Sequence, residues 1–186
     1  MLTARGAKRD APSHFKLDRR LDILDDGKLI GQLACDMGAT QAALTVHDAA
    51  YTMAATATEQ QEPLAALLHQ AVDTRAKRPD QALALKDANG DTRALAQRVK
   101  SSFMVAHEGT VFVLRKASFF SPPYNLYRKG SDELLGWVGQ KSLFSLTLYM
   151  DLPAGFDAPF QAYLLLLALN LAAERADSTS SYTYTG

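Results

Sequence analysis

Four consecutive leucines, Leu164 to Leu167, lie inside the segment DAPFQAYLLLLALNLAAERA that begins at Asp157, and they narrow the choice of fold more than any other feature. A helix turns about 100° per residue, so four successive apolar side chains point nearly all the way around its axis, and no single sheet face can bury them. The apolar stretch from Phe160 to Ala173, broken only by Gln161 and Asn170, is 14 residues long, whereas a membrane span needs about 20. The helix is therefore expected to be surrounded by protein. Asp157 is placed to cap its start, Pro159 is tolerable in the first turn, and Arg175 is favourable near the C-terminus. A helix of about 16 residues is about 24 Å long, comparable to the height of a barrel, so the economical arrangement is a β-barrel closed around a C-terminal helix. Asn170 is then expected to make a hydrogen bond inside the barrel, since an unpaired buried amide costs about 1–3 kcal/mol.

Most of the remaining chain reads as strands joined by tight turns. RLDILDDGKLIGQLAC (20–35) holds two alternating apolar stretches around Asp26-Gly27, a pair that tolerates the positive φ of a hairpin turn. The same device recurs at Asn89-Gly90, near Glu108-Gly109 and near Gly130-Ser131. With GATQAALTVHDAAYTMAA and LFSLTLYMDLP added, about ten strands are expected, at the spacing of an all-β barrel or sandwich. Residues 63–76 place Leu64, Leu67, Leu68, Ala71 and Val72 on one stripe, which predicts a short amphipathic helix capping an end of the sheet. The fold class is thus mainly β: a closed antiparallel barrel around a central hydrophobic helix, plus one short amphipathic helix. One domain is expected over residues 19–176, between a basic flexible tail at 1–18 and a Ser/Thr/Tyr-rich disordered tail at 177–186.

Composition supports an ordinary globular domain, with 20 Lys+Arg against 20 Asp+Glu and 47% hydrophobic residues in 186. The charge balance argues against a dedicated nucleic-acid binder. Cys35, the one cysteine, excludes an intramolecular disulfide and a Cys-rich zinc site. The first 20 residues lack the apolar run of a secretory signal, so a cytoplasmic location is expected. Charge is segregated along the chain: basic over residues 1–20, acidic over 21–62, basic from 63 to 150 and acidic beyond.

A barrel of short antiparallel strands threaded by a hydrophobic C-terminal helix resembles the tubby-like fold of tubby proteins, phospholipid scramblases and LURP-one-related proteins. The residues that carry the likeness are YNLYRKGSDELLGWVGQ, similar to a hairpin of the LURP-one-related and scramblase-like branch, and FSLTLYMDLPAGFDAPFQAYLLLLALNLAA, similar to its last strand, proline-bearing connection and central helix. The resemblance covers Tyr124 to Ala173. It implies a binding or scaffold module, with phosphoinositide headgroups bound by basic residues as in tubby proteins. The acidic calcium-associated segment of scramblases has no counterpart in KSLFSLTLYMD, which carries one acid.

No catalytic, cofactor or metal site is expected. Asp87, Asn89 and Asp91 suit the first positions of a calcium loop, but Thr92 and Arg98 stand where Gly and Glu are needed, and turn chemistry explains the segment. His14, His47, His69 and His107 show no metal-ligand spacing, Ser13 and Lys16 lie in the polar tail, and Gly136 and Gly139 lack the setting of a phosphate loop and are read as letting a strand bend. The most suggestive polar cluster is Arg115, Lys116, Arg128, Lys129 and Lys141, a candidate anionic-lipid site that Arg19 and Arg20 would assist. Trp137, Tyr124 and Tyr127 are available as an apolar rim, although strand aromatics are usually core. The partner expected is an anionic phospholipid surface, held peripherally without a transmembrane span, or a protein. The alternative is a carrier or enzyme for a small apolar ligand inside the barrel, disfavoured because the leucine helix should fill the lumen.

Overall fold

The computed structural model describes residues 1–6, 19–36, 38–57, 63–71, 81–117, 123–131, 133–140 and 147–180. Twelve strands form a closed barrel: β1 (Leu2–Gly6), β2 (Arg19–Asp25), β3 (Lys28–Cys35), β4 (Ala42–Val46), β5 (Ala49–Ala57), β6 (Gln81–Asp87), β7 (Thr92–Val99), β8 (Ser102–His107), β9 (Thr110–Lys116), β10 (Tyr124–Arg128), β11 (Leu134–Gln140) and β12 (Leu148–Asp151). Each strand pairs antiparallel with its sequence neighbours, and β1 closes the ring against β12 through Leu2, Thr3 and Ala4. The expectation of about ten strands is thus corrected to twelve. One addition is β1, which lies within the segment expected to be a flexible tail; residues 7–18 fall outside the described residues. Another comes from residues 42–57, which fold as a hairpin around His47-Asp48 rather than as one strand.

This count gives the lumen its width. An eight-stranded barrel is filled by its own side chains, so a helix about 10 Å across needs a wider ring. The helix α2 (Ala158–Ser180) enters where β12 ends, and Phe160, Ala162, Tyr163 and Leu164 to Leu167 have no exposed surface. Its leucines pack into one core with inward residues of many strands, among them Ile23, Leu33, Leu44, Met53, Leu85, Leu114, Leu126 and Met150. The enclosed C-terminal helix expected from Leu164 to Leu167 is therefore present. Asp157 caps it, its carboxylate accepting the Phe160 N–H at 2.9 Å. The helix continues to Ser180, into the segment expected to be disordered; residues 181–186 lie outside the described residues.

The short helix α1 (Pro63–Ala71) does not cap an end of the barrel. It lies on the outer surface over β7, β8 and β9, with Ala65 and Leu68 buried against Ala82, Ala84, Leu95, Met104 and Ala106. Those strands are apolar on both faces, so their outer side needs a cover, and the α1 stripe supplies it. Residues 72–76 of the expected helix are outside the described residues.

Two glycines fix strand paths. A Cβ on Gly31 would collide with the Thr45 carbonyl oxygen, and one on Gly136 with the Asp151 carbonyl oxygen. Both sit in the sequence Leu-Leu/Ile-Gly, both face a strand that follows in the chain, and both lie just past a register shift of their hairpin. Bulge and glycine together let β3 and β11 bend sharply around the helix.

Candidate functional site

The meander gives the barrel two unlike ends. Asp26-Gly27, His47-Asp48, Asn89-Gly90, Glu108-Gly109 and the β10–β11 turn lie at the end where α2 enters, the turn end. The 36–41 and 100–101 connections, and the C-terminal part of α2, lie at the other, the loop end. Among the described residues, charge divides between them. Asp25, Asp26, Asp48, Asp87, Asp91 and Glu108 cluster at the turn end, joined by Asp151 and Asp157 in the link to α2 and offset by Lys28, Lys86, Arg93, Arg128 and Lys129. Arg98 on β7, Lys100 in the β7–β8 turn, and Arg115 and Lys116 on β9 lie toward the loop end, Arg98 and Lys116 with inward parity and Arg115 with outward parity, and Arg20 and Arg5 lie on β2 and β1. Asp36 also lies at the loop end, Asp22 is registered opposite Arg5, and Glu174 and Asp177 fall in the last turns of α2.

This geometry divides the sequence-derived cluster. Arg115 is registered opposite Asn125, and Arg128 opposite Phe112. The two positions are three residue steps apart on β9, about 10 Å along the strand. Their side chains also leave opposite faces, because Phe112 and Leu114 point into the core while Arg115 is exposed outside. Arg115 and Lys116 therefore belong to the loop end, and Arg128 and Lys129 to the turn end. Lys141 falls outside the described residues, as does the side chain of Arg19. Residues that the sequence did not flag, Arg98 and Lys100, complete the loop-end patch. Only the strand order could have placed them at the same end of the barrel as Arg115.

Local contacts hold the patch in place. The Arg115 guanidinium lies 4.4 Å from the centroid of Tyr127, and the Asn125 amide donates to the Tyr127 hydroxyl at 3.1 Å. Such a cation–π contact is worth about 0.5–1 kcal/mol at an exposed site and orients the charge more than it neutralises it. Arg98 donates through Nε to the Lys100 carbonyl at 3.0 Å, tying the β7–β8 turn, where Lys100 takes φ 55°. Of the three aromatics considered as a rim, Tyr124 is core, whereas Tyr127 and Trp137 are half-buried on the outside.

Asp36 does not offset this charge freely. Its carboxylate accepts the N–H groups of Thr40 (2.7 Å) and Gln41 (3.0 Å) and the Thr40 hydroxyl (2.7 Å). Partial burial would raise its pKa, but the hydrogen bonds from Gln41 and Thr40 outweigh it and hold the carboxyl below the usual aspartate value. The loop it shapes folds over the end of the lumen, burying Ala39, and Asn170 donates to the Gly38 carbonyl at 2.8 Å. The hydrogen bond expected of Asn170 is present.

The calcium reading of Asp87 is answered by the same kind of turn chemistry. Its carboxylate accepts the N–H groups of Asn89 (3.0 Å) and Asp91 (3.1 Å). Among the described residues, no group of three or more His, Cys, Asp or Glu side chains could hold a metal ion, and no helix is long and apolar enough to cross a membrane. No protein-family model matches this chain, and no curated protein matches it significantly.

Proposed function

We propose that this protein is a non-enzymatic binding module of tubby-like type that sits peripherally on an anionic phospholipid surface through the loop end of its barrel. The observation that carries this reading is the gathering of Arg98 on β7, Lys100 in the turn that follows it, and Arg115 and Lys116 on β9 at one end of the barrel, with most of the described acids at the opposite end. A molecule polarised in this way turns its basic end toward a negative surface and its acidic end away, even though its net charge is zero. Each basic group near an anionic leaflet contributes about 1 kcal/mol, so four to six acting together hold the protein reversibly. The filled lumen supports a surface mode of action over carriage of a ligand inside the barrel, because α2 leaves its inner leucines no exposed surface. A cytoplasmic location, at the inner leaflet, is part of the same proposal.

Flotation with vesicles tests it. Vesicles containing phosphatidylserine, with and without phosphoinositide, should carry the wild type upward at low salt and release it at about threefold higher ionic strength, since the Debye length at physiological salt is about 8 Å. Arg115→Glu combined with Lys100→Glu should abolish flotation, whereas Arg128→Glu combined with Lys129→Glu should leave it unchanged. Failure to float with any anionic vesicle at low salt would remove the lipid reading. Equal loss in both double variants would remove the assignment to one end.

A further inference from the structure

We propose that a cleft at the turn end of the barrel, separate from the basic patch, binds a small aromatic carboxylate. The cleft has a volume of about 240 Å³ and lies between the β8–β9 turn, the ends of β10 and β11, and the link from β12 to α2. Its walls include Phe112, Leu135, Pro153 and Phe156, with His107, Glu108, Thr110 and Arg128 as polar groups. An engineered apolar cavity of about 150 Å³ accepts benzene, and drug-sized ligands occupy about 300–1,000 Å³. The size therefore fits one ring with a short acidic substituent and is too small for a lipid tail pair.

The wall is built for a ring. Phe156 meets Phe112 edge-on at 5.3 Å between centroids and Phe160 edge-on at 5.1 Å, and His107 stacks on Phe160 at 3.8 Å. Phe112, Phe160 and His107 are buried, so the half-buried Phe156 offers aromatic surface on a rigid backing. His107 is held as well: its Nδ1 lies 3.0 Å from the Arg93 carbonyl, which only accepts, so Nδ1 carries the proton, and its Nε2 lies 4.0 Å from the Glu108 carboxylate.

Arg128 selects the charge. It is the register partner of Phe112, with the same inward parity, which sets the stem of this long side chain beside the aromatic wall. Among the described residues it makes no ion pair, and its planar fork suits a carboxylate. Glu108, the acid of the cleft, has its side chain 72% exposed, so its field is screened by water and salt. The site thus pairs an aromatic face with a guanidinium at its rim, whereas the lipid reading rests on residues at the other end of the barrel.

Chemical-shift titration of the full chain with phenylacetate, phenylacetamide and phenethylamine tests the assignment. Phenylacetate should bind with millimolar affinity, as expected for a fragment of about ten non-hydrogen atoms, and should shift Phe112, Phe156 and Arg128 first. The amide should bind about tenfold more weakly and the amine more weakly still. Arg128→Met should reduce phenylacetate affinity about tenfold with little effect on the amide, and Arg115→Met should change neither. The proposal is overturned by an absence of saturable shifts, by shifts mapping elsewhere, by a preference for the amine, or by unchanged affinity in Arg128→Met. None of these results alters what vesicle flotation reports.

Discussion

Tyr163 reaches from the enclosed helix to the barrel wall, and Asn170 to the loop over the lumen's end. Tyr163 donates its hydroxyl to the Leu83 carbonyl at 2.6 Å in a fully buried setting, and Asn170 reaches the Gly38 carbonyl from near the helix's loop end. Each bond joins segments far apart in sequence, so each fixes the rotation and depth of α2, which a ring of leucines alone would leave degenerate. Asn170→Leu should lower stability by about 1–2 kcal/mol in urea unfolding, because the Gly38 carbonyl loses its donor. Tyr163 also predicts an alkaline limit. Burial pushes its phenol well above the usual tyrosine value. Above about pH 10 the unfolded chain releases this proton while the folded chain keeps it. Its contribution is therefore complete at neutral pH and falls as pH rises beyond that value. Tyr163→Phe should cost about 1 kcal/mol at pH 7 and should flatten the decline in unfolding midpoint between about pH 9 and pH 11. An unchanged slope would place the alkaline sensitivity in another group.

At the scale of elements, α2 organises the molecule and α1 repairs it. Leu166→Asp should prevent cooperative folding, since a carboxylate at a position with no exposed surface has no partner. Loss of the near-ultraviolet dichroism of Tyr163 and its neighbours would report it, and a soluble, native-like variant would contradict the enclosure of the helix. The helix was legible because four adjacent leucines admit only an all-round apolar environment. The hairpins at Asp26-Gly27 and Glu108-Gly109 were legible because glycine takes the positive φ of the second turn residue, here 81° and 73°. The β4–β5 turn was not, because His47 and Asp48 adopt φ 47° and 65° without a glycine to announce it. β1 was hidden by brevity: LTARG alternates over only five residues inside a basic stretch, and its strand character comes from partners on both sides. The position of α1 depended on which strands are apolar on their outer faces, a property of packing that the stripe itself does not carry. The candidate patch was half legible for a related reason. Arg115 and Arg128 are close in sequence, yet an antiparallel hairpin sends them to opposite ends of the barrel.

For the whole molecule, the closing seam is the weak point of an otherwise local topology. Eleven of the twelve strand pairings join neighbours in sequence, and one, β1 with β12, joins the two ends of the sheet through three registered residue pairs. β5 and β6, by comparison, register over seven pairs. Most of the sequence-neighbour pairings close short loops and form early, whereas the seam carries the loop-closure entropy of nearly the whole chain and is rewarded by few bonds. Opening there exposes two strand edges and uncovers α2 without breaking any hairpin, so it is the least costly partial unfolding the fold offers. Hydrogen exchange should therefore show the amides of Thr3 and Tyr149 exchanging at least tenfold faster than those of Met53 and Leu85, under conditions where global unfolding is rare. The ratio should narrow toward one as denaturant makes global unfolding dominant. If the seam amides proved as protected as those of β5 and β6 in water, closure would belong to the same cooperative unit as the rest of the sheet, and the barrel would have no preferred place to open.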